Sequence, residues 1–121
     1  MARILIAEDS ETDLQFVKGT LKDSAHSFII AKDGEEAEAK ARSENPDLII
    51  LDVIMPKKNG FQVCRDLKKD DNYKHIPIVL VTSKSQESDK FWGIKQGANE
   101  YITKPYEPAE LLKIVKKLLV K

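Results

Sequence analysis

The sequence predicts a doubly wound α/β fold, a (βα)5 sandwich with helices on both faces of one parallel sheet. Three observations point there. Short apolar runs alternate five times with amphipathic stretches. The runs are continuous in apolar character, as strands buried on both faces require. The pattern fills 121 residues, the size of one domain. Residues 1–121 are therefore expected to be one domain with no output domain.

Each element has its own signal. The strands are expected at residues 4–7, 28–31, 48–51, 78–81 and, more weakly, 100–103. Pro46-Asp47 and Pro77 bound the third and fourth. The first helix follows Ser10, a good N-cap, with Leu14, Val17 and Leu21 on one face. The second spans 35–44, rich in Ala and Glu, with Ala37 and Ala41 on one face. The third opens after Asn59-Gly60 and carries Phe61, Cys64 and Leu67. The fourth covers 86–96, with Phe91 and Ile94 as its apolar stripe and Gly97 beyond its end. Trp92 lies off that stripe, as partly exposed packing or as partner surface. The fifth has Pro108 in its first turn and Leu111, Val115 and Leu118 on one face. Lys113, Lys116, Lys117 and Lys121 crowd its C-terminal end, where the helix dipole favours cations.

Composition excludes several classes. Apolar residues make up 41% and charged residues 33%, as in a globular protein and not a disordered one. Twenty basic and twenty acidic side chains cancel, so nothing favours nucleic acid. The balance is uneven, however. Residues 1–60 carry 8 basic and 12 acidic groups, and residues 61–121 carry 12 and 8. That asymmetry suits uneven solvated faces, or an acidic cation site in the first half with an anion-facing lysine in the second. The single Cys64 excludes an internal disulfide and a Cys-based zinc site, and is expected to be a reduced core thiol. His26 and His75 are expected at the surface. No run reaches the ~20 apolar residues of a membrane span. The N-terminus passes at once into a strand, unlike a signal peptide. A cytoplasmic protein is expected.

In open parallel sheets, ligands sit beyond the carboxyl ends of the strands. Glu8-Asp9 follows the first strand and Asp52 the third. Thr82-Ser83 ends the fourth, and Lys104-Pro105 the fifth. Three carboxylates at one rim repel each other unless a cation neutralises them. All-oxygen donors with room for water suit Mg2+. With Lys104 the rim carries about −2, which one divalent cation balances. Phosphoryl transfer needs such neutralisation and positioning above all. A carboxylate can be the nucleophile. Asp52 would attack, with Lys104, Thr82 and the cation each holding one phosphoryl oxygen.

With these motifs the sequence resembles the receiver domain of two-component response regulators over essentially its whole length. The likeness rests on Glu8-Asp9, the stretch Asp52-Val-Ile-Met-Pro-Lys-Lys-Asn-Gly60, Val81-Thr82-Ser83, Gly97-Ala98, and Tyr101-Ile-Thr-Lys104-Pro105. Stand-alone receivers of the chemotaxis and twitching-motility type are most similar. The resemblance implies the CheY-like, flavodoxin-like strand order 2-1-3-4-5, which the residues alone do not establish. It implies Asp52 as phosphoacceptor, and Asp9 with Glu8 as the metal-binding acidic pair. The main-chain carbonyl of Ile54 joins Asp52 as a further Mg2+ ligand. Thr82 is implied as the switch hydroxyl, Tyr101 as the switch aromatic, and Lys104 as the phosphate-contacting lysine. On the residues alone, Tyr101 is equally a half-buried strand aromatic. The bond before Pro105 is expected to be cis.

The resemblance implies a signalling switch. A sensor histidine kinase or a histidine phosphotransfer protein supplies the phosphoryl group. A downstream protein target reads the face of helix 4, strand 5 and helix 5. No membrane insertion and a monomer are expected. Self-phosphorylation makes enzyme status a matter of definition. Two other readings stand beside it, a phosphorylation-independent scaffold and a small phosphatase. The intact site argues against the first. The second wants an acid at position 54, where Ile54 stands. No Gly-rich phosphate loop follows the first strand. Three residues depart from the commoner pattern. Glu8 is one methylene longer than aspartate, Ile54 is apolar, and Lys84 is cationic.

Overall fold

In the computed structural model, residues 2–120 are described; Met1 and Lys121 lie outside them, and with Lys121 one member of the expected basic helix end. The elements are β1 (Arg3–Ala7), α1 (Glu11–Leu21), β2 (Ser27–Ala31), α2 (Gly34–Glu44), β3 (Leu48–Leu51), α3 (Gly60–Lys68), β4 (Ile78–Thr82), α4 (Glu87–Lys95), β5 (Glu100–Thr103) and α5 (Pro108–Leu119). A 3-10 turn over Lys22–Ser24 extends α1 and was not expected. All strand pairs are parallel, in the order β2-β1-β3-β4-β5. The doubly wound sheet expected from the sequence is present.

The continuous apolar runs serve two cores, because successive side chains leave a strand on opposite faces. Ile4, Ile6, Leu48, Ile50, Val79, Val81 and Ile102 pack with Leu14, Val17 and Leu21 of α1 and Leu111 and Val115 of α5. Leu5, Ala7, Ile49, Leu51, Ile78 and Leu80 pack with Ala37 and Ala41 of α2 and Val63, Cys64 and Leu67 of α3. Cys64 is a buried free thiol, and burial pushes it up to about 12. His75 is exposed, whereas His26 is half-buried and accepts the Ala2 N–H on Nδ1.

Three helices start where a side chain takes up a first-turn N–H. Ser10 accepts from Asp13, Asp33 from Glu36, and Asn59 from Gln62. Each such cap stabilises by about 1 kcal/mol. Their common effect is to start α1, α2 and α3 sharply at the carboxyl rim of the sheet.

Helix α4 differs from the sequence reading. Its expected apolar stripe does not face the core: Phe91 and Ile94 are 66% and 49% exposed, and Trp92 is 48% exposed. Only Gly93 is buried in this helix. The reason is close approach. A Cβ on Gly93 would lie 2.9 Å from both Leu80 Cδ1 and the Tyr101 ring. The helix rests on the sheet through a residue with no side chain, and its aromatics are left at the surface.

Candidate functional site

The site residues are held by the ends of the strand ladders. Glu8, Asp52 and Lys104 each stand one residue past a strand. Their N–H groups donate to the last carbonyl of the neighbouring strand: Glu8 to Ala31 (3.0 Å), Asp52 to Ala7 (3.0 Å) and Lys104 to Thr82 (2.8 Å). The backbone is thus fixed to the last polar residue, and the side chains emerge at one rim. The Lys104–Pro105 bond is cis, as expected.

The side chains converge on the Lys104 ammonium. Its Nζ donates to Glu8 Oε1 at 2.7 Å, Asp13 Oδ2 at 2.8 Å and Asp52 Oδ2 at 2.9 Å. Glu8 and Asp52 are buried. Glu8 Oε2 also accepts the Ser10 N–H, and Asp52 Oδ1 accepts the Ile54 N–H. Burial pushes the Glu8 carboxyl up to about 7, with the Asp52 charge adding to it and the Lys104 hydrogen bond opposing it. Burial alone would lower the Lys104 ammonium, but hydrogen bonds to Asp13, Asp52 and Glu8 raise it above its ordinary value.

The structure therefore brings Glu8, Asp52 and Lys104 together. Asp9 stands at the exposed edge and makes no ion pair or side-chain hydrogen bond among the described residues. Asp13 was missed. Its signal was an acid at the third helical position after the Ser10 cap, in a first turn that starts at this rim.

Thr82 and Tyr101 meet on one loop residue. Thr82 is fully buried, and its Oγ1 accepts the Lys84 N–H at 3.4 Å. The Tyr101 hydroxyl donates to the Lys84 carbonyl at 2.7 Å. Burial, then the charges of Asp89 and Asp52, push the Tyr101 phenol up to about 12. Ile54 is 54% exposed beside Asp52.

The loop from Asp52 to Gly60 is braced by α2. Gly34 N–H donates to the Pro56 carbonyl at 3.3 Å, and Lys58 bridges Glu38 and Asp66. A Cβ on Gly60 would fall 2.3 Å from the Asp52 carbonyl oxygen, so this loop closes tightly over its own start.

Do these residues fit a divalent cation? Among the described residues no three acidic, His or Cys side chains are arranged to hold a metal alone. Lys104 occupies the centre of the carboxylates instead. What remains is the exposed Asp9 carboxylate, Asp52 Oδ1, which also accepts the Ile54 N–H, and nearby carbonyls. These are hard oxygen donors, with Asp9 exposed to water, which fits Mg2+ or Mn2+ better than a softer ion.

The response regulator receiver domain model matches residues 4–116. The chain belongs to that family. It is similar to Protein PilH of Pseudomonas aeruginosa, 44% identical and covering 98% of both chains. Among solved structures it resembles the chemotaxis protein CheY4 of Vibrio cholerae, at 36% identity and a TM-score of 0.88, covering 98% of this chain and 99% of that one. It also resembles the Mn2+-bound form of the response regulator Rcp1, at 35% identity and a TM-score of 0.83, covering 98% and 91%. The chain is thus a receiver-domain protein of two-component signalling with a CheY-like fold. No helix among the described residues is long and apolar enough to cross a membrane.

Proposed function

We propose that this receiver is a phosphorylation-dependent switch with Asp52 as the phosphoacceptor. The observation that carries the reading is the buried Asp52 carboxylate hydrogen-bonded to Lys104, with the Thr82 hydroxyl at the adjoining strand end. A phosphohistidine of a sensor histidine kinase or histidine phosphotransfer protein is the donor. One Asp52 oxygen forms the new bond to phosphorus. The phosphorus–nitrogen bond breaks, its electron pair stays on the donor imidazole, and Asp52 becomes an acyl phosphate. Lys104 then holds one phosphoryl oxygen.

Asp9, Asp52 and the Ile54 carbonyl would hold Mg2+, which supplies charge neutralisation for the transferring group. Glu8, one methylene longer than aspartate and turned inward to Lys104 and Ser10, would act on the cation through water. Thr82 turns toward the phosphoryl group, leaving Lys84, and Tyr101 follows because both are tied to that residue. The loop change passes to α4, whose exposed Phe91 and Trp92 contribute to a target-binding face with β5 and α5. Likeness to PilH and to a chemotaxis protein supports a target in motility; that the switch works as a monomer in the cytoplasm is part of the same proposal.

The test is to load the full chain from phosphoramidate with Mg2+ and map the product by mass spectrometry. One hydroxylamine-sensitive phosphoryl group is expected, on Asp52. A group on any other residue overturns the assignment.

A second expectation concerns lifetime. Hydrolysis needs a water in line with the departing carboxylate, and a neighbouring hydrogen-bonding side chain speeds it by positioning that water. Ile54 offers no such group, and its branched chain stands beside Asp52. Ile54→Asn is expected to shorten the phosphoryl half-life several-fold, measured as decay of labelled protein after donor removal. An unchanged or longer half-life counts against Ile54 as the barrier.

A further inference from the structure

We propose that Asp13 is a positioning residue that holds Lys104 in the unphosphorylated chain and releases it when a phosphoryl group arrives. This rests on the reading of Asp52 as the phosphoacceptor. A lysine ammonium has three protons to donate, and Glu8, Asp13 and Asp52 take all of them. With its donors used up, Lys104 turns toward added phosphoryl oxygens only by giving up a carboxylate.

The three carboxylates are not equally easy to leave. The Glu8 side chain is 5% exposed and is tied also to the Ser10 N–H. Asp52 is 7% exposed, is tied to the Ile54 N–H, and carries the phosphoryl group itself. The Asp13 side chain is 43% exposed, and Lys104 is its one partner among the described residues. Water replaces that contact at little cost, as at other partly exposed ion pairs.

Position gives the release a direction. Asp13 approaches Lys104 from the first turn of α1. Both line a cleft of about 460 Å³ whose other walls include Phe16, Ser83 and Tyr106. The Asp13 contact holds the ammonium on the side of this cleft. Asp13 thus favours the resting state and sets how strongly a phosphoryl group must compete for Lys104.

The probe is beryllofluoride, a phosphoryl analogue, titrated by NMR into the full chain at saturating Mg2+. Asp13→Asn is expected to bind it about 2- to 5-fold tighter, the range for loss of a partly exposed ion pair. Asp13→Glu restores a carboxylate and is expected to return affinity toward wild type. Glu11→Gln is the control for general charge. Glu11 is an exposed acid on the same helix turn, paired with Lys32 and not with Lys104, and its removal is expected to leave affinity unchanged. Equal affinity of Asp13→Asn and wild type overturns the proposal. So does an equal gain in Glu11→Gln, which makes the effect one of overall field. If wild-type protein binds no beryllofluoride near Asp52, the phosphoacceptor reading itself falls and the Asp13 role with it.

Discussion

Lys104→Met is expected to destabilise the metal-free protein by about 3 kcal/mol at pH 8, the size seen when one partner is removed from a buried ion pair. Methionine keeps much of the volume of the chain but leaves Glu8 and Asp52 buried without a counter-ion. The loss is expected to shrink to about 1–2 kcal/mol at pH 5, because Glu8 then carries a proton in both proteins. The direction follows from the raised Glu8 carboxyl, which titrates near 7 in the folded chain against 4.5 ordinarily. Such a group contributes stability that is full below about pH 4.5 and lost as pH rises through about 7. Without the Lys104 hydrogen bond, which lowers it, Glu8 holds its proton to still higher pH. The gap between the two proteins therefore opens as pH rises. Urea denaturation in EDTA at the two pH values measures it. Equal losses at pH 5 and pH 8 would show that Glu8 does not set the pH dependence.

The strands and the rim residues were legible in the sequence for one shared reason. A central parallel strand is buried on both faces, so its apolar run is continuous and its end is marked by the first polar residue. For β1, β3 and β4 that residue is Glu8, Asp52 or Thr82. Membership of the cluster was less legible. Asp9 and Glu8 are adjacent in sequence, but adjacent side chains at a strand end point in different directions. Glu8 turns inward to Lys104 while Asp9 faces water. Asp13 arrives from a helix, where the residue that reaches the rim depends on the entry angle of α1, and no strand pattern encodes that angle. Helix α4 was illegible in a third way. Its spacing of Phe91 and Ile94 satisfies helical periodicity, yet Gly93 decides which side meets the sheet.

Gly60→Ala is expected to destabilise the protein by about 2–3 kcal/mol, although helix propensity alone favours alanine by up to about 1 kcal/mol. Gly60 is the first residue of α3 and its N–H donates to the Val53 carbonyl at 2.9 Å. A Cβ there would stand 2.3 Å from the Asp52 carbonyl oxygen and 2.8 Å from Val53 Cα. Both are backbone atoms, so no side chain can swing aside. The β3–α3 loop has to open, and it carries the Asp52 and Ile54 backbone with it. Phosphoryl uptake on Asp52 is therefore expected to slow along with the loss of stability. Gly19→Ala supplies the contrast. Gly19 lies within α1 with nothing within 4 Å of the added atom. There propensity acts unopposed, and a gain of about 0.5–1 kcal/mol is expected with phosphoryl uptake unchanged. Urea denaturation and phosphoramidate labelling of the two variants read both effects. A stabilised Gly60→Ala would mean that the loop relaxes around the added methyl at little cost, and that its tight closure does not position Asp52.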